Sequence, residues 1–402
     1  MFTRFVATSL LASAMLFAQG PAANRFPVIV EFRDDARFSD FQRHFQADDP
    51  RSSQTPGWSK HDQGVLGAAM FLERRLNFVS DYLYSSAIKG FAARLSASQI
   101  QQLENDPMVA SIEPDAMVTT TAQALPWGIN KIAAPLSTTL AGDGAGAVSG
   151  VNAYVIDTGI AAHADLNLVA HKSFVNDGKN TDCHGHGTHV AGTIGARDNA
   201  ADVVGVAPGI ALTGVKVMGC TGSGYISGVI AGLDWVRLNA VKPAVANLSF
   251  GGAASTSLDN AVINLANSGV FVAIAAGNSG VNVCTVSPAR AGAGTDNGVM
   301  TVSATDSYDK EASWSNYGSC KDIHAPGVSV VSTSMTGGTT TKSGTSMASP
   351  HVAGAAALLL SKSGNAGLTP AQVEARLRQD AAATLNTSKD ATAIKVLSVR
   401  NY

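Results

Sequence analysis

Ser346 lies in the stretch Gly344-Thr-Ser-Met-Ala-Ser-Pro-His-Val-Ala-Gly354, which leads into an alanine- and leucine-rich run ending at Leu360. That run is apolar on every face, which predicts a helix buried in the core rather than an amphipathic surface helix. Pro350 is expected in its first turn, where the amide a proline lacks has no partner. Ser346 then sits at a helix N-terminus. Free backbone amides and the positive dipole end there face the negative charge that a serine oxygen creates when it attacks a carbonyl. Gly344 and Ala348 leave room for a substrate. Taken alone, the stretch reads as a capping serine on a core helix.

Two further stretches change that reading. His186, in Asp182-Cys-His-Gly-His-Gly-Thr-His-Val-Ala-Gly192, has Gly185 and Gly187 on either side, so its ring is free to meet an acid and a nucleophile together. Asp157 closes the apolar run Ala153-Tyr-Val-Ile-Asp157 and is followed at once by Thr158 and Gly159. Serine catalysis needs this set: an imidazole that takes the hydroxyl proton and a carboxylate that fixes its tautomer and stabilises the imidazolium. Asn278, at the end of Val272-Ala-Ile-Ala-Ala-Gly-Asn278, offers a side-chain amide that could donate to the oxyanion alongside the Ser346 amide. The rival chemistry is metal binding. His184, His186 and His189 form an H-x-H-x-x-H cluster of the kind that holds zinc, although no clear further ligand recurs downstream.

The elements that must position these residues follow from the texture of the chain. Beyond Trp127, short apolar runs alternate with longer helical ones. Val151 to Ile156, Leu212 to Val217, Ala244 to Phe250, Val270 to Ala275 and Val299 to Ala304 read as buried strands. His186 to Gly195, Tyr225 to Asn239 and Leu258 to Asn267 read as helices, and Thr369-Pro370 starts another, running to about Ala383. The alternation predicts an α/β fold with a parallel sheet covered by helices on both faces. Functional groups in such sheets collect at the carboxyl ends of the strands, where Asp157 stands. Gly222-Ser223-Gly224-Tyr225 and Ser249-Phe250-Gly251 are small-residue edges between which a peptide could add as a strand, with Tyr225 and Phe250 suggesting apolar pockets.

Residues 24–116 have a different character. Phe26 to Phe32 alternates like a strand, Ala36 to Ala47 carries aromatics at helical spacing, and Asp48 to Gly64 reads as a loop. Ala69 to Leu83 is ambiguous between helix and strand. Ala87 to Leu95 reads as a strand, Ser96 to Asn105 as a helix that Ser98 could cap, and Val109 to Asp115 as a last strand. This is a small α+β domain. A polar, threonine-rich linker over 117–125 separates it from the large domain, 126–402, and is exposed to proteolysis.

The chain has 402 residues, 45% of them hydrophobic, enough for one large core and a smaller domain, and its formal net charge is −2. No long run of one sign argues for nucleic acid or an anionic membrane. Met1 to Ala18, with Arg4 ahead of an apolar run, reads as an export signal cleaved near Ala18, and no later segment would span a bilayer. Cys183, Cys220, Cys284 and Cys320 are an even number in an exported chain, so two disulfides are expected. Three connectivities are open. If neighbours along the chain pair, each bridge stabilises by roughly 4 kcal/mol in the chain-entropy model.

The order Asp, His, Ser, with Asp157-Thr-Gly159, His186-Gly-Thr-His189, Ala276-Gly-Asn278 and Gly344-Thr-Ser-Met-Ala348, resembles the subtilisin-like serine peptidases. Within them it is most similar to the proteinase K branch and its aqualysin-type bacterial members, over Trp127 to Tyr402. The free cysteine that proteinase K carries just after the motif's second histidine is absent, with Val190 there instead. The resemblance implies a subtilisin-like fold, a Cys183–Cys220 and a Cys284–Cys320 bond, and a secreted endopeptidase acting as a monomer on proteins and peptides, with no nucleic acid or membrane partner. Ser346 would be nucleophile, His186 base, Asp157 the orienting acid, and Asn278 with the Ser346 amide the oxyanion site, acting through an acyl-enzyme. Gly222 to Tyr225 and Ser249 to Gly251 would line the subsites, giving broad, apolar-leaning cleavage. It also likens 24–116 to the ferredoxin-like, inhibitor I9-type prodomain, with Gly90-Phe91 and Pro114-Asp115 in family-like places. Such a prodomain templates folding of the slowly nucleating parallel sheet, inhibits the enzyme and is then removed by autocleavage between Asp115 and Pro126. No catalytic cofactor is implied. A structural calcium is, on Asp322 with backbone carbonyls near Asn297 and Val299. Two other classes, a zinc hydrolase on the histidine cluster and a silent peptide-binding relative, stay open at this point.

Overall fold

The computed structural model describes residues 25–45, 59–115, 123–294 and 296–402. The expected export signal and positions 117–122 of the expected linker lie outside the described residues. The chain divides into two compact units, Met1–Thr119 and Thr120–Tyr402.

In the first unit, β1 (Phe26–Phe32), β2 (Ser80–Tyr84), β3 (Gly90–Leu95) and β4 (Val109–Pro114) form an antiparallel sheet in the order β2-β3-β1-β4. Alternate residues of β1, Val28, Val30 and Phe32, are buried. Helix α1 (Lys60–Leu76) adds Val65, Ala68, Ala69 and Leu72 to the same cluster, the spacing of one helical face. Three sequence expectations are corrected here. The loop expected through Gly64 ends earlier, because Ser59 and Asp62 form a capping box that starts α1 at Lys60. Ala69 to Leu83 is both elements in turn, helix to Leu76, a left-handed Asn77, then β2. Helix α2 (Ala97–Glu104) is capped by Ser96 with Gln99, not by Ser98.

The second unit begins with a short helix, α3 (Trp127–Lys131). The strands that follow are β5 (Asn152–Asp157), β6 (Leu168–Ser173), β7 (Ala211–Lys216), β8 (Ala244–Leu248), β9 (Gly252–Ala253), β10 (Val270–Ala275), β11 (Val286–Ser287), β12 (Val299–Thr305), β13 (Ile323–Pro326), β14 (Val330–Thr333), β15 (Thr339–Lys342), β16 (Ala382–Thr387) and β17 (Ala393–Val396). Nine of them make one sheet, β16-β17-β13-β12-β10-β8-β5-β7-β6, parallel throughout except for the edge pair β16-β17. Strands β5, β8, β10 and β12 are almost wholly buried, as expected of a sheet covered on both faces. Around them pack α4 (His186–Gly195), α5 (Ile226–Asn239), α6 (Thr256–Asn267), α7 (Thr345–Ser361) and α8 (Pro370–Asp380). Helix α7 packs on β8, β10, β12 and β13 and has nearly every residue buried.

Here too the structure differs from expectation. Pro350 lies well inside α7, as its sixth residue, so it does remove a helical hydrogen bond. The C-terminal helix stops at Asp380, and Ala382 opens β16.

Candidate functional site

Strand order dictates where a site can form. After β5 the chain builds β6 and β7 on one side and then crosses to lay β8 on the other, so the direction of winding reverses between β5 and β8. A crevice opens at the carboxyl ends of parallel strands at such a point. Asp157 ends β5, Ser249-Phe250-Gly251 follows β8, and Ala276-Gly277-Asn278 follows β10, so three adjacent strands deliver their loops to one edge of the sheet.

Asp157 is fully buried, and its Oδ1 accepts from His186 Nδ1 at 2.8 Å and from the Thr158 amide at 2.7 Å. His186 begins α4, after Gly185 in the left-handed region at φ +90°. The next residue must be small: a Cβ on Gly187 would stand 2.1 Å from the Gly159 carbonyl oxygen, so only glycine brings α4 against the Asp157 turn. Burial alone would push the His186 pKa down, but the charge of Asp157 and its hydrogen bond outweigh that and hold it above the ordinary value.

Ser346 is half-buried in the first turn of α7, where its amide has no intrahelical acceptor. Its hydroxyl donates to the Ser249 carbonyl at 2.9 Å. Among the described residues no hydrogen bond joins it to His186. Asn278 Oδ1 accepts from the Thr345 amide and the Thr345 hydroxyl, both at 2.9 Å. Because an amide N–H needs an oxygen, those bonds fix the carboxamide flip and turn the Asn278 NH2 away from Thr345. Asn278 is exposed, and it lines a cavity of about 310 Å³ together with Thr345, Ser346, Phe250 and Gly251. A second cavity of about 430 Å³ is lined by His186, Gly222, Ser223, Gly224, Ser249, Phe250 and Gly251.

Residues 149–395 match the Subtilase family, Peptidase S8. This chain belongs to that family. Residues 27–121 match the Peptidase inhibitor I9 family. The chain is 46% identical over 315 residues to an extracellular serine proteinase of Thermus sp. (strain Rt41A), covering 74% of this chain and 72% of that one. It is 45% identical over 308 residues to alkaline serine exoprotease A of Vibrio alginolyticus, covering 73% of this chain but spanning only 55% of that relative's length. Among solved structures it is similar to a cold-adapted subtilisin-like serine proteinase, with a TM-score of 0.60 and 43% identity over 68% of this chain and 97% of that one. A subtilase is a serine-type endopeptidase and uses no catalytic cofactor, and the subtilase fold named from the motifs is the one found.

Of the sequence-predicted site residues, the structure joins Asp157 to His186 and Asn278 to the Ser346 turn, as above. Of the segments expected to line subsites, Gly222–Gly224 and Ser249 line the larger cavity, Phe250 and Gly251 line both, and Tyr225 is 87% exposed and outside either lining. Gly222 is not extended as expected but left-handed, at φ +74°. The cysteines form Cys183–Cys220 and Cys284–Cys320. The three histidines of the zinc alternative go separate ways. His186 meets Asp157, His184 is exposed on the cavity wall, and fully buried His189 bonds the Val330 carbonyl, its pKa lowered to about 4 by burial.

Asp322, the one side chain expected on calcium, is engaged by other groups. Asp322 Oδ1 is paired with the Arg378 guanidinium, and its Oδ2 accepts from the Thr301 amide at 2.6 Å. Arg378 also pairs with buried Glu374 at 2.6 Å, so a side-chain cation already occupies the place.

Sequence reasoning missed three residues around the site. Buried Asp182 accepts from the His184 and Gly185 amides, from Thr158 Oγ1 at 2.9 Å and from both the amide and the hydroxyl of Thr188. Thr158 Oγ1 in turn accepts from the Gly187 amide, so the Asp157 turn and the His186 turn are tied through one carboxylate. The signal was present, an aspartate four residues before His186 in a loop of small residues. Lys216, fully buried at the end of β7, donates to the Thr158 carbonyl and pairs with Asp177, both at 3.1 Å, and nothing in its apolar-flanked strand announced it.

Proposed function

We propose that this subtilase is a secreted, monomeric endopeptidase made as a zymogen, and that it cleaves peptide bonds through an acyl-enzyme on Ser346. The observation that carries the proposal is the 2.8 Å bond from His186 Nδ1 to a fully buried Asp157 carboxylate, which leaves Nε2 as the proton acceptor. The reaction begins when the Ser346 hydroxyl leaves the Ser249 carbonyl for His186 Nε2. Hydrogen bonds of this kind often tighten only with substrate in place. Oγ then attacks the scissile carbonyl, His186 takes the proton, and the oxyanion is met by the Asn278 NH2 and the Ser346 amide. His186 passes the proton to the leaving amine, and water repeats the sequence on the ester. The substrate lies as an added strand between Gly222–Gly224 and Ser249–Gly251, and the apolar lining of the cavities, Met218, Ile226, Val229, Leu258 and Phe250, favours apolar side chains.

The inhibitor I9-like domain spans 24–116, the linker 117–125 and the peptidase 126–402, with an export signal over 1–18. Autocleavage falls between Asp115 and Pro126. Expression of Ser346→Ala in a host lacking other proteases is expected to accumulate the uncleaved precursor, while the wild type yields two separable chains. A Ser346→Ala protein that loses its N-terminal domain under those conditions would defeat the proposal.

A further inference from the structure

Helix α7 carries a defect at the residue that matters most, and one side chain from the loop after β8 fills it. In an α-helix the amide of residue i donates to the carbonyl of residue i−4. Residue 350 is a proline, so the carbonyl of Ser346 has no helical donor. A buried carbonyl left without one costs about 1–3 kcal/mol and weakens the turn that holds it. Ser249 Oγ donates to the Ser346 carbonyl at 2.9 Å, which supplies the missing bond from outside the helix.

The donor is itself held. Asn247 Nδ2 donates to Ser249 Oγ at 2.8 Å, and Ser349 Oγ donates to Asn247 Oδ1 at 2.7 Å, so a chain of hydrogen bonds runs from α7 into β8 and back. All three side chains are buried, at 0%, 2% and 0% exposure for Asn247, Ser249 and Ser349. With its one proton committed to Ser346 and a lone pair taken by Asn247, the Ser249 hydroxyl has a single orientation. The backbone of Ser249 meets the same residue a second time by accepting from Ser346 Oγ at 2.9 Å.

We infer that Ser249 is a positioning residue for the nucleophile, its hydroxyl replacing the amide that Pro350 removes and fixing the Ser346 peptide against the carboxyl end of β8. This rests on the proposed role of Ser346. Its consequence is that the substrate-binding edge, which starts at Ser249, and the attacking oxygen are set by one residue. Their mutual distance is therefore independent of how α7 frays at its start.

The test is a double-mutant cycle read as kcat and KM on a peptide substrate, with thermal melts of each protein. Ser249→Ala is expected to lower kcat on the order of 10–100-fold, the effect of a misplaced reacting group. KM should stay within about twofold, because the binding edge is backbone. Ser249→Ala/Pro350→Ala gives residue 350 an amide that can reach the Ser346 carbonyl, and it is expected to recover most of the lost kcat. A fall in stability alone would lower apparent kcat through the active fraction while leaving KM unchanged, so kcat is taken per fluorophosphonate-titrated site, where such a fall disappears. Wild-type kcat in Ser249→Ala, or a folded double variant no faster than the single, would overturn the inference. So would failure of the double variant to fold where Pro350→Ala folds. Fluorophosphonate labelling of the wild type separates the two readings. Without label on Ser346 the proposed function itself falls, whereas label on Ser346 with no rescue removes only the role of Ser249.

Discussion

One oxygen of Asp157 serves two donors, the His186 ring and the following Thr158 amide, while the other is buried without a partner among the described residues. That carboxylate needs the imidazolium more than it needs neutral histidine, which is why the His186 pKa is raised despite its burial. In its proposed role of general base His186 works only when neutral, so activity is expected to fall as pH drops through its pKa. The acid limb of kcat/KM is therefore expected to lie above pH 6.5, the ordinary imidazole value, and to be absent from kinetics that bypass the base. A limb centred well below 6.5 would show that burial, not Asp157, sets the group. At Asn278, the carbonyl side is fixed by Thr345, which leaves the NH2 for the proposed oxyanion contact. Asn278→Ala is expected to lower kcat by about 100-fold with little change in KM, the cost of losing one such donor in this enzyme class. Equal loss in KM and none in kcat would make it a ground-state contact. Asp157, His186 and Asn278 stood out because each is next to a glycine or closes an apolar strand, and Ser346 because an all-apolar helix follows it. Asp182 and Lys216 did not, because what they do depends on folding partners far away in sequence.

At the scale of elements, legibility followed burial in the longer strands, while the buried but four-residue β13 was missed. Central strands such as β10 and β12 are continuous apolar runs and were read to within a residue, because both their faces are covered. Edge strands β6 and β16 were missed, since half of each is exposed and their polar residues, His171, Lys172, Asn386 and Thr387, leave no run to see. Pro350 was placed one turn too early because the sequence rule for proline assumes that no outside donor mends the helix, and Ser249 does so. The region expected to bind calcium shows the same limit. Arg378 is four residues past Glu374 on α8, yet its pairing with Asp322 is tertiary. Burial pushes the Asp322 pKa well up and that of Glu374 up, and the Arg378 guanidinium works against both shifts. Arg378→Ala removes the cation from a buried cluster and is expected to lower the melting temperature on the order of 10 °C in calorimetry. A variant melting at the wild-type temperature would mean that another cation holds these carboxylates.

At the scale of the molecule, a fold whose sheet pairs β5 with β8 and β13 with β17 must close long loops before its contacts form, the topology in which folding is slow. An inhibitor I9-like unit with its own sheet and core precedes it and can order early, consistent with a chain that folds as a precursor. Among the described residues no helix is long and apolar enough to cross a membrane. In the proposed function, maturation and substrate cleavage both depend on a single event at Ser346. The most direct measurement is mass spectrometry of the active protein after reaction with a fluorophosphonate. One adduct is expected, on Ser346, and it should be lost in His186→Ala while Asn278→Ala still acquires it more slowly. An active, processed enzyme that carries the adduct on another residue, or that stays fully active without any, would contradict the account.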